Sequence, residues 1–351
     1  MKFKPLLLFS FLLLGIGASA QDIHFSQFYL SPLNLNPAMT GVMNCNIRLT
    51  GNYRNQWASV LKSNAYSTYS FSYDQKIPVG RYDYFGIGGT FWGDRAGEAD
   101  FATVTGKISA SYAKRMAGSR KEAHYLVVGA EAGVAQRSID FLKLRWGTQH
   151  DGEGGFCAGC PSFEENNFDQ DNFLFADLAA GLLWFSVFDE HNSLYVGGAF
   201  HHLNRANQSF NSETKDFIYS RFTFHAGGEF EMNKRVGLLP GVIVMKQGPS
   251  FQVNSGTSLR FVLGRGSSFN NYQAFQVGTW VRLSNKVESG ILTDAVILST
   301  RFDYNQFSLG FSYDVNVSAL RPASSHNGAF EFALVYKFCN NERRGVYCPR
   351  F

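Results

Sequence analysis

Beyond its first twenty residues this sequence has no apolar stretch long enough to cross a membrane as a helix. The best candidate, residues 178–188, is interrupted by Gly181 and Ser186 and falls far short of the roughly 20 residues required. Two classes remain for the rest of the chain: a soluble exported protein, or a barrel that enters a membrane by closing its strands on one another. Charge is scarce too. Only 17% of residues are charged, and the net +4 is small and evenly spread, which argues against nucleic-acid binding. Catalytic signatures are missing: there is no Gly-x-Ser-x-Gly, no His-Glu-x-x-His and no phosphate-cradling loop. No repeat of roughly 20–50 residues interrupts the pattern, and no low-complexity linker divides it.

The opening residues read as an export signal. Lys2 and Lys4 form a positive head, residues 5–16 are apolar, and Ala18-Ser19-Ala20 supplies the small residues a signal peptidase needs before Gln21. Residues 1–20 are therefore set apart from the fold. The chain is rich in aromatics, with 34 Phe, 16 Tyr and an aromatic fraction of 16% beside 35 Gly. That load suits strands and interfacial girdles better than helices.

Alternation with period two runs through most of the chain. From Asn46 to Arg54 every even position is polar and every odd one is apolar or Gly. Thr103, Thr105, Lys107, Ser109 and Ser111 alternate with Val104, Gly106, Ile108, Ala110 and Tyr112; Phe330, Phe332, Leu334, Tyr336 and Phe338 alternate with Glu331, Ala333, Val335 and Lys337. Such strands keep one face apolar and the other wet. A secreted sandwich alternates in the same way, but its strands are shorter. The aromatic strand ends (Tyr84 and Phe85, Phe91 and Trp92, Tyr195, Trp280, Tyr313, Tyr336) also fit bilayer girdles.

The expectation is an all-β fold: a closed antiparallel transmembrane barrel of about 14 strands in a bacterial outer membrane. The strands centre near Leu49, Tyr69, Gly89, Ile108, Gly129, Ala180, Gly198, Ala226, Val242, Ser258, Val277, Ala295, Phe311 and Leu334. An even count puts both termini in the periplasm, with long loops at odd connections and tight turns at even ones. The longest gaps, 138–172 and 203–220, are reckoned third and seventh. The predicted organisation is signal 1–20, periplasmic arm or plug 21–44, barrel 45–338 and periplasmic tail 339–351. Phe25, Phe28, Tyr29, Leu30 and Pro37 of the arm have no place in the strand pattern. They either plug the barrel's periplasmic mouth or present a surface to a periplasmic partner.

The arm also carries a resemblance. Residues 21–29 (QDIHFSQFY), 33–38 (LNLNPA), Thr40-Gly41 and 53–57 (YRNQW) resemble the opening of the PorP/SprF family, outer-membrane proteins of Bacteroidetes type IX secretion and gliding. The likeness continues through 86–93, 177–182 and the ending Cys348-Pro349-Arg350-Phe351. It implies a non-enzymatic anchoring component that needs no cofactor. The implied partners are outer-membrane lipid, periplasmic ring or peptidoglycan-binding lipoproteins, and the C-terminal domain of a secreted surface protein. The acidic stretch Glu164, Glu165, Asp169, Asp171 departs from the family pattern.

Candidate chemistry is thin. Cys157 and Cys160 have redox or zinc spacing, but neither a βαβ setting nor further ligands accompany them, so a local disulfide or loop staple is expected. The acidic stretch lacks calcium-loop spacing and reads as solvated. His201-His202 has no carboxylate nearby in sequence and reads as structural. Arg48, Arg54, Lys107, Arg115, Glu229 and Glu231 should face the lumen, either lining a path or pairing across it. Closing the barrel sets the start of the first strand level with the end of the last. The expectation is a seam disulfide from Cys45 to Cys339 or Cys348, with a local Cys339–Cys348 bridge as the alternative. The rival functions are a solute-uptake channel with a plug and a barrel hydrolase. The hydrolase lacks any Ser/His/acid group converging on one strand face.

Overall fold

The computed structural model describes residues 22–339, apart from 120–121, 152–154, 158–159, 161, 163, 165–167, 190–191, 265–271, 286–289 and 320. The expected signal, Glu165, Cys348 and the tail beyond residue 339 lie outside the described residues. Fourteen antiparallel strands close into one barrel. They are β1 (Ile47–Gln56), β2 (Tyr66–Val79), β3 (Asp83–Ala96), β4 (Phe101–Ala117), β5 (Ala123–Ser138), β6 (Asn172–Val187) and β7 (Ser193–His201). The second half comprises β8 (Arg221–Asn233), β9 (Val236–Gln247), β10 (Ser250–Gly264), β11 (Gln273–Asn285), β12 (Ile291–Tyr304), β13 (Phe307–Asn316) and β14 (Asn327–Phe338). Each expected centre falls within its strand. Closure comes from β1 pairing β14, with Ile47 opposite Phe338 and Gln56 opposite Ala329.

The alternation sets the faces. Arg48, Thr50, Asn52 and Arg54 point inward and are buried, while Tyr53 between them is exposed to the bilayer. In β14, Glu331, Ala333 and Val335 turn inward and Phe332 and Leu334 outward. One register step would exchange these sets, so the apolar faces fix the pairing. The connections alternate between the two rims, and the ninth, Gly248-Pro249, is short although odd. The stretches between β8 and β9 and between β12 and β13 are tight, the latter turning on Asn305 in the left-handed region at φ 53°. The long stretch between β5 and β6 is the fifth connection rather than the third; five is also odd, so its side is unchanged.

One expectation needs correction. Tyr84, Trp92, Tyr195 and Trp280 do not face lipid: all four are buried inside the barrel, whereas Phe85 and Phe91 are outward and exposed. Sequence position alone does not tell an outer girdle from an inner one, and the inner aromatics have something to pack on. That something is the arm, which takes the plug alternative and is not confined to one mouth of the barrel. Residues 22–44 rise from the rim through the lumen, so the N-terminal end, Asp22, sits at the opposite rim, against His202 and Gln247.

The main hydrophobic core therefore lies inside the barrel, between arm and wall. Phe28, Leu35, Ala38, Met39 and Val42 of the arm pack with Tyr84, Tyr125, Leu183, Phe185, Tyr195, Ile243, Trp280 and Ile297 of the wall. This explains the apolar run at 178–188. In β6, Leu183, Phe185 and Val187 meet the inner core while Leu182 and Trp184 turn outward and are exposed, so the strand is apolar on both faces.

Candidate functional site

The site is the plugged lumen. The plug has too few residues for a domain and takes its shape from turns. It makes a 3-10 turn over Phe28–Leu30, a single α-helical turn over Pro32–Leu35 and a second 3-10 turn over Pro37–Met39. Pro32 and Pro37 open their turns, where the missing N–H costs nothing. The Asn36 side chain accepts a hydrogen bond from the Ala38 N–H at 2.8 Å and caps the last turn.

Between turns, plug main-chain groups would be stranded in a dry lumen, and wall side chains satisfy them. Near the rim where β1 begins, Arg48 donates to Met39 O (3.1 Å) and to Asp74 (2.7 Å), while Asp74 accepts from the Gly41 N–H (2.7 Å). At mid-height the Asn36 amide donates to Leu182 O and Gly198 O and lies 3.0 Å from His225 Nε2. Asn52 donates to Leu30 O at 3.1 Å.

Nearer the opposite rim a clamp from four strands closes on Ser26. Glu331 (β14) accepts from the Ser26 and Gln27 N–H groups at 2.6 and 2.9 Å. Asp314 (β13) accepts from Ser26 Oγ at 2.9 Å. Arg54 (β1) bridges Asp314 at 3.1 Å and Glu331, and Arg282 (β11) donates to Asp314 at 2.8 Å and Asp294 at 2.6 Å. Removing one member of such a buried set strands a charge.

At the top, His202 stands between Asp22 (2.5 Å) and Asp177 (2.8 Å), and Arg221 lies 3.3 Å from Asp22. Burial opposes the charge on His202, but the two carboxylates outweigh it and push its pKa up to about 9. Lys107 joins Asp177 and Glu131 at 2.8 and 2.9 Å. Sequence reading missed this group because Asp22, Glu131 and Asp177 are remote in the chain. Strand parity was the available signal, since it turns Lys107, Glu131 and Asp177 to the same lumen.

Glycines let the plug approach. A Cβ on Gly129 would lie 2.5 Å from the Ala38 backbone, and one on Gly181 would collide with the Asn36 amide. Beside Phe28, Tyr29 and Trp280 a cavity of about 40 Å³ remains, room for a few waters at most.

The structure separates the remaining sequence candidates. Phe25, Phe28, Leu30 and Pro37 are buried against the wall and Tyr29 is half-buried, so the lumen takes the surface a periplasmic partner would need. Arg48, Arg54 and Lys107 pair inside, and Glu229 pairs with Arg260. Arg115 lies at the rim, over the Tyr82 ring. Cys45 is joined to Cys339 with Cα atoms 4.3 Å apart, rooting the plug at the seam. Cys157 and Cys160 are joined within the long loop, Cα atoms 5.4 Å apart. Glu164 accepts from Thr148, and Asp169 from Ser212. Among the described residues no group of three or more His, Cys, Asp or Glu converges as a metal site.

Comparison with known proteins adds the family. No curated protein matches the sequence significantly. Among solved structures, the CymD monoaromatic hydrocarbon channel is 11% identical with a TM-score of 0.48, covering 89% of this chain and 94% of its own. The toluene transporter TbuX of Ralstonia pickettii is 10% identical with a TM-score of 0.43, covering 88% and 94%. CdiB from Escherichia coli is 9% identical with a TM-score of 0.45; the match covers 82% of this chain and only 63% of CdiB. These likenesses are too distant to bear on function. Residues 17–336 match the family described as type IX secretion system membrane protein PorP/SprF, and this outer-membrane barrel belongs to that family.

Proposed function

We propose that this chain works by binding rather than by turnover or conduction, as an anchoring component of type IX secretion. It would hold periplasmic machinery, or the C-terminal domain of an exported surface adhesin, at the outer membrane. The observation that carries this reading is the filled lumen. Hydrogen bonds and ion pairs from several strands, an apolar core and a covalent root at Cys45 hold the plug in the path a solute would take. A static plug leaves the wall, rims and loops as the surfaces that act.

The channel reading differs in its consequences. A strain lacking the protein should lose at least one secreted protein from its surface, measured by surface proteomics, with uptake of small solutes unchanged. A normal surface proteome with impaired uptake would sink the anchoring reading in favour of the channel.

A further inference from the structure

The wall is not paired to the same height all round. β6 runs sixteen residues and β7 nine. Their pairing stops at Ala180 opposite Phe200, while β5 accompanies β6 to its end, Ser138 opposite Asn172. A tilted strand crosses a bilayer in about 9–11 residues, so β7 has just the length to span it. The upper half of β6 therefore stands clear of the membrane, with β5 on one side and no strand on the other.

Part of that side is already imitated. The Leu203 N–H donates to Leu178 O at 2.9 Å. The Asn204 side chain then does what a neighbouring backbone would, accepting from the Leu178 N–H at 3.3 Å and donating to Ala176 O at 2.7 Å. Above this the loop at 202–220 turns inward. Phe210 packs on Phe173, and the Phe210 carbonyl accepts from the Asp169 N–H at 3.2 Å. In an antiparallel strand alternate residues aim their main-chain groups to alternate sides. Asn172, Leu174 and Ala176 share the side of Leu178, so the Ala176 N–H and both groups of Leu174 face outward from the open edge. Among the described residues nothing bonds to them.

Natural sheets guard such edges with proline, lysine, bulges or a covering segment. Among the described residues this edge carries no proline, lysine or bulge, and the 202–220 loop bonds to it only as far as Ala176 O. Leu174 is 69% exposed, and the pairing with β5 is regular throughout. We propose that the open edge of β6 at Asn172, Leu174 and Ala176 takes an added strand: an extended segment of an exported protein, apolar at alternate positions and basic at one end. The basic end is argued from Asp169 and Asp171, which are exposed just above the edge. A second copy does not fit. Two barrels in one membrane run β6 in the same vertical sense with opposite tilt, so their edges cross instead of pairing. This inference rests on the anchoring reading and gives it a surface.

The test uses, as probe, the purified C-terminal domain of a surface protein lost in the deletion strain. Leu174→Pro with Ala176→Pro removes two outward N–H groups and spares every bond to β5. Affinity for the probe should fall at least 10-fold, with heat-modifiable migration on gels confirming a folded barrel. In the unsubstituted protein, amide exchange at Leu174 and Ala176 should slow when the probe binds, a readout that needs no variant. Unchanged exchange at both amides, or unchanged affinity in the folded variant, would overturn the edge assignment while leaving the anchoring reading intact. Normal surface display in the deletion strain would overturn both.

Discussion

Replacing Arg54 with alanine should free the plug's N-terminal half while the barrel stays folded. Arg54 donates to Ser26 Oγ at 2.8 Å and bridges Asp314 and Glu331, all buried. Without it, Glu331 keeps only the plug's own N–H groups, and Asp314 keeps Arg282 and Ser26. Breaking a buried ion pair from one side costs roughly 3–5 kcal/mol. Because the clamp converges on Ser26 while the wall strands stay joined by their own ladders, the cost should appear as local opening. Amide exchange across 23–31 should quicken by roughly 10²–10³-fold or more, with exchange in the strand ladders unchanged. Neutralising both sides, as in Arg54→Met with Glu331→Gln, should cost less than the single change, because it strands less charge. Unchanged exchange over 23–31 in Arg54→Ala would mean that the clamp does not hold the plug.

The seam disulfide should have a comparable effect through a different term. Cys45 and Cys339 are 294 residues apart, so their bond closes nearly the whole described chain into a loop. In the chain-entropy model a closure of that size restricts the unfolded state by roughly 5–6 kcal/mol, less whatever strain it adds. The folded barrel is held at the same place by the β1–β14 ladder, so native contacts should change little. Cys45→Ala with Cys339→Ala should therefore lower the urea midpoint of the folded barrel under oxidising conditions. Under reducing conditions the variant and the parent should unfold together. Equal midpoints in both conditions would remove the bond from the list of stabilising features.

The barrel was legible because its signal is local. Alternation from Asn46 to Arg54 and from Phe330 to Phe338 assigns faces residue by residue, and the even count levels Cys45 with the end of β14. The plug's path was not legible. Its turns signal only where regular structure stops, and its partners are set by tertiary contacts: Asp22 meets His202, and Ser26 meets Glu331. One trace was readable in hindsight. A barrel strand around a water-filled lumen should be polar inside, yet β6 is apolar on both faces at Leu182 to Phe185. An inward apolar strand face predicts something solid within the lumen. The girdle assignment failed at Tyr84, Trp92, Tyr195 and Trp280 for the same reason, because these rings are buried inside the barrel and do not face lipid, whereas it held at Phe85 and Phe91.

The open edge of β6 could not be seen in sequence either. It depends on β7 being seven residues shorter than its neighbour, sixteen against nine, and strand ends are where pattern reading is weakest.

Ion conductance across planar lipid bilayers tests the central claim, a barrel closed by its own plug, most directly. The full mature protein should insert and stay silent. The same chain lacking residues 22–43 should give stable stepwise currents, because fourteen strands without a plug enclose a water-filled lumen. Stable stepwise currents from the full protein, equal to those of the shortened one, would contradict the closed lumen and support a solute channel.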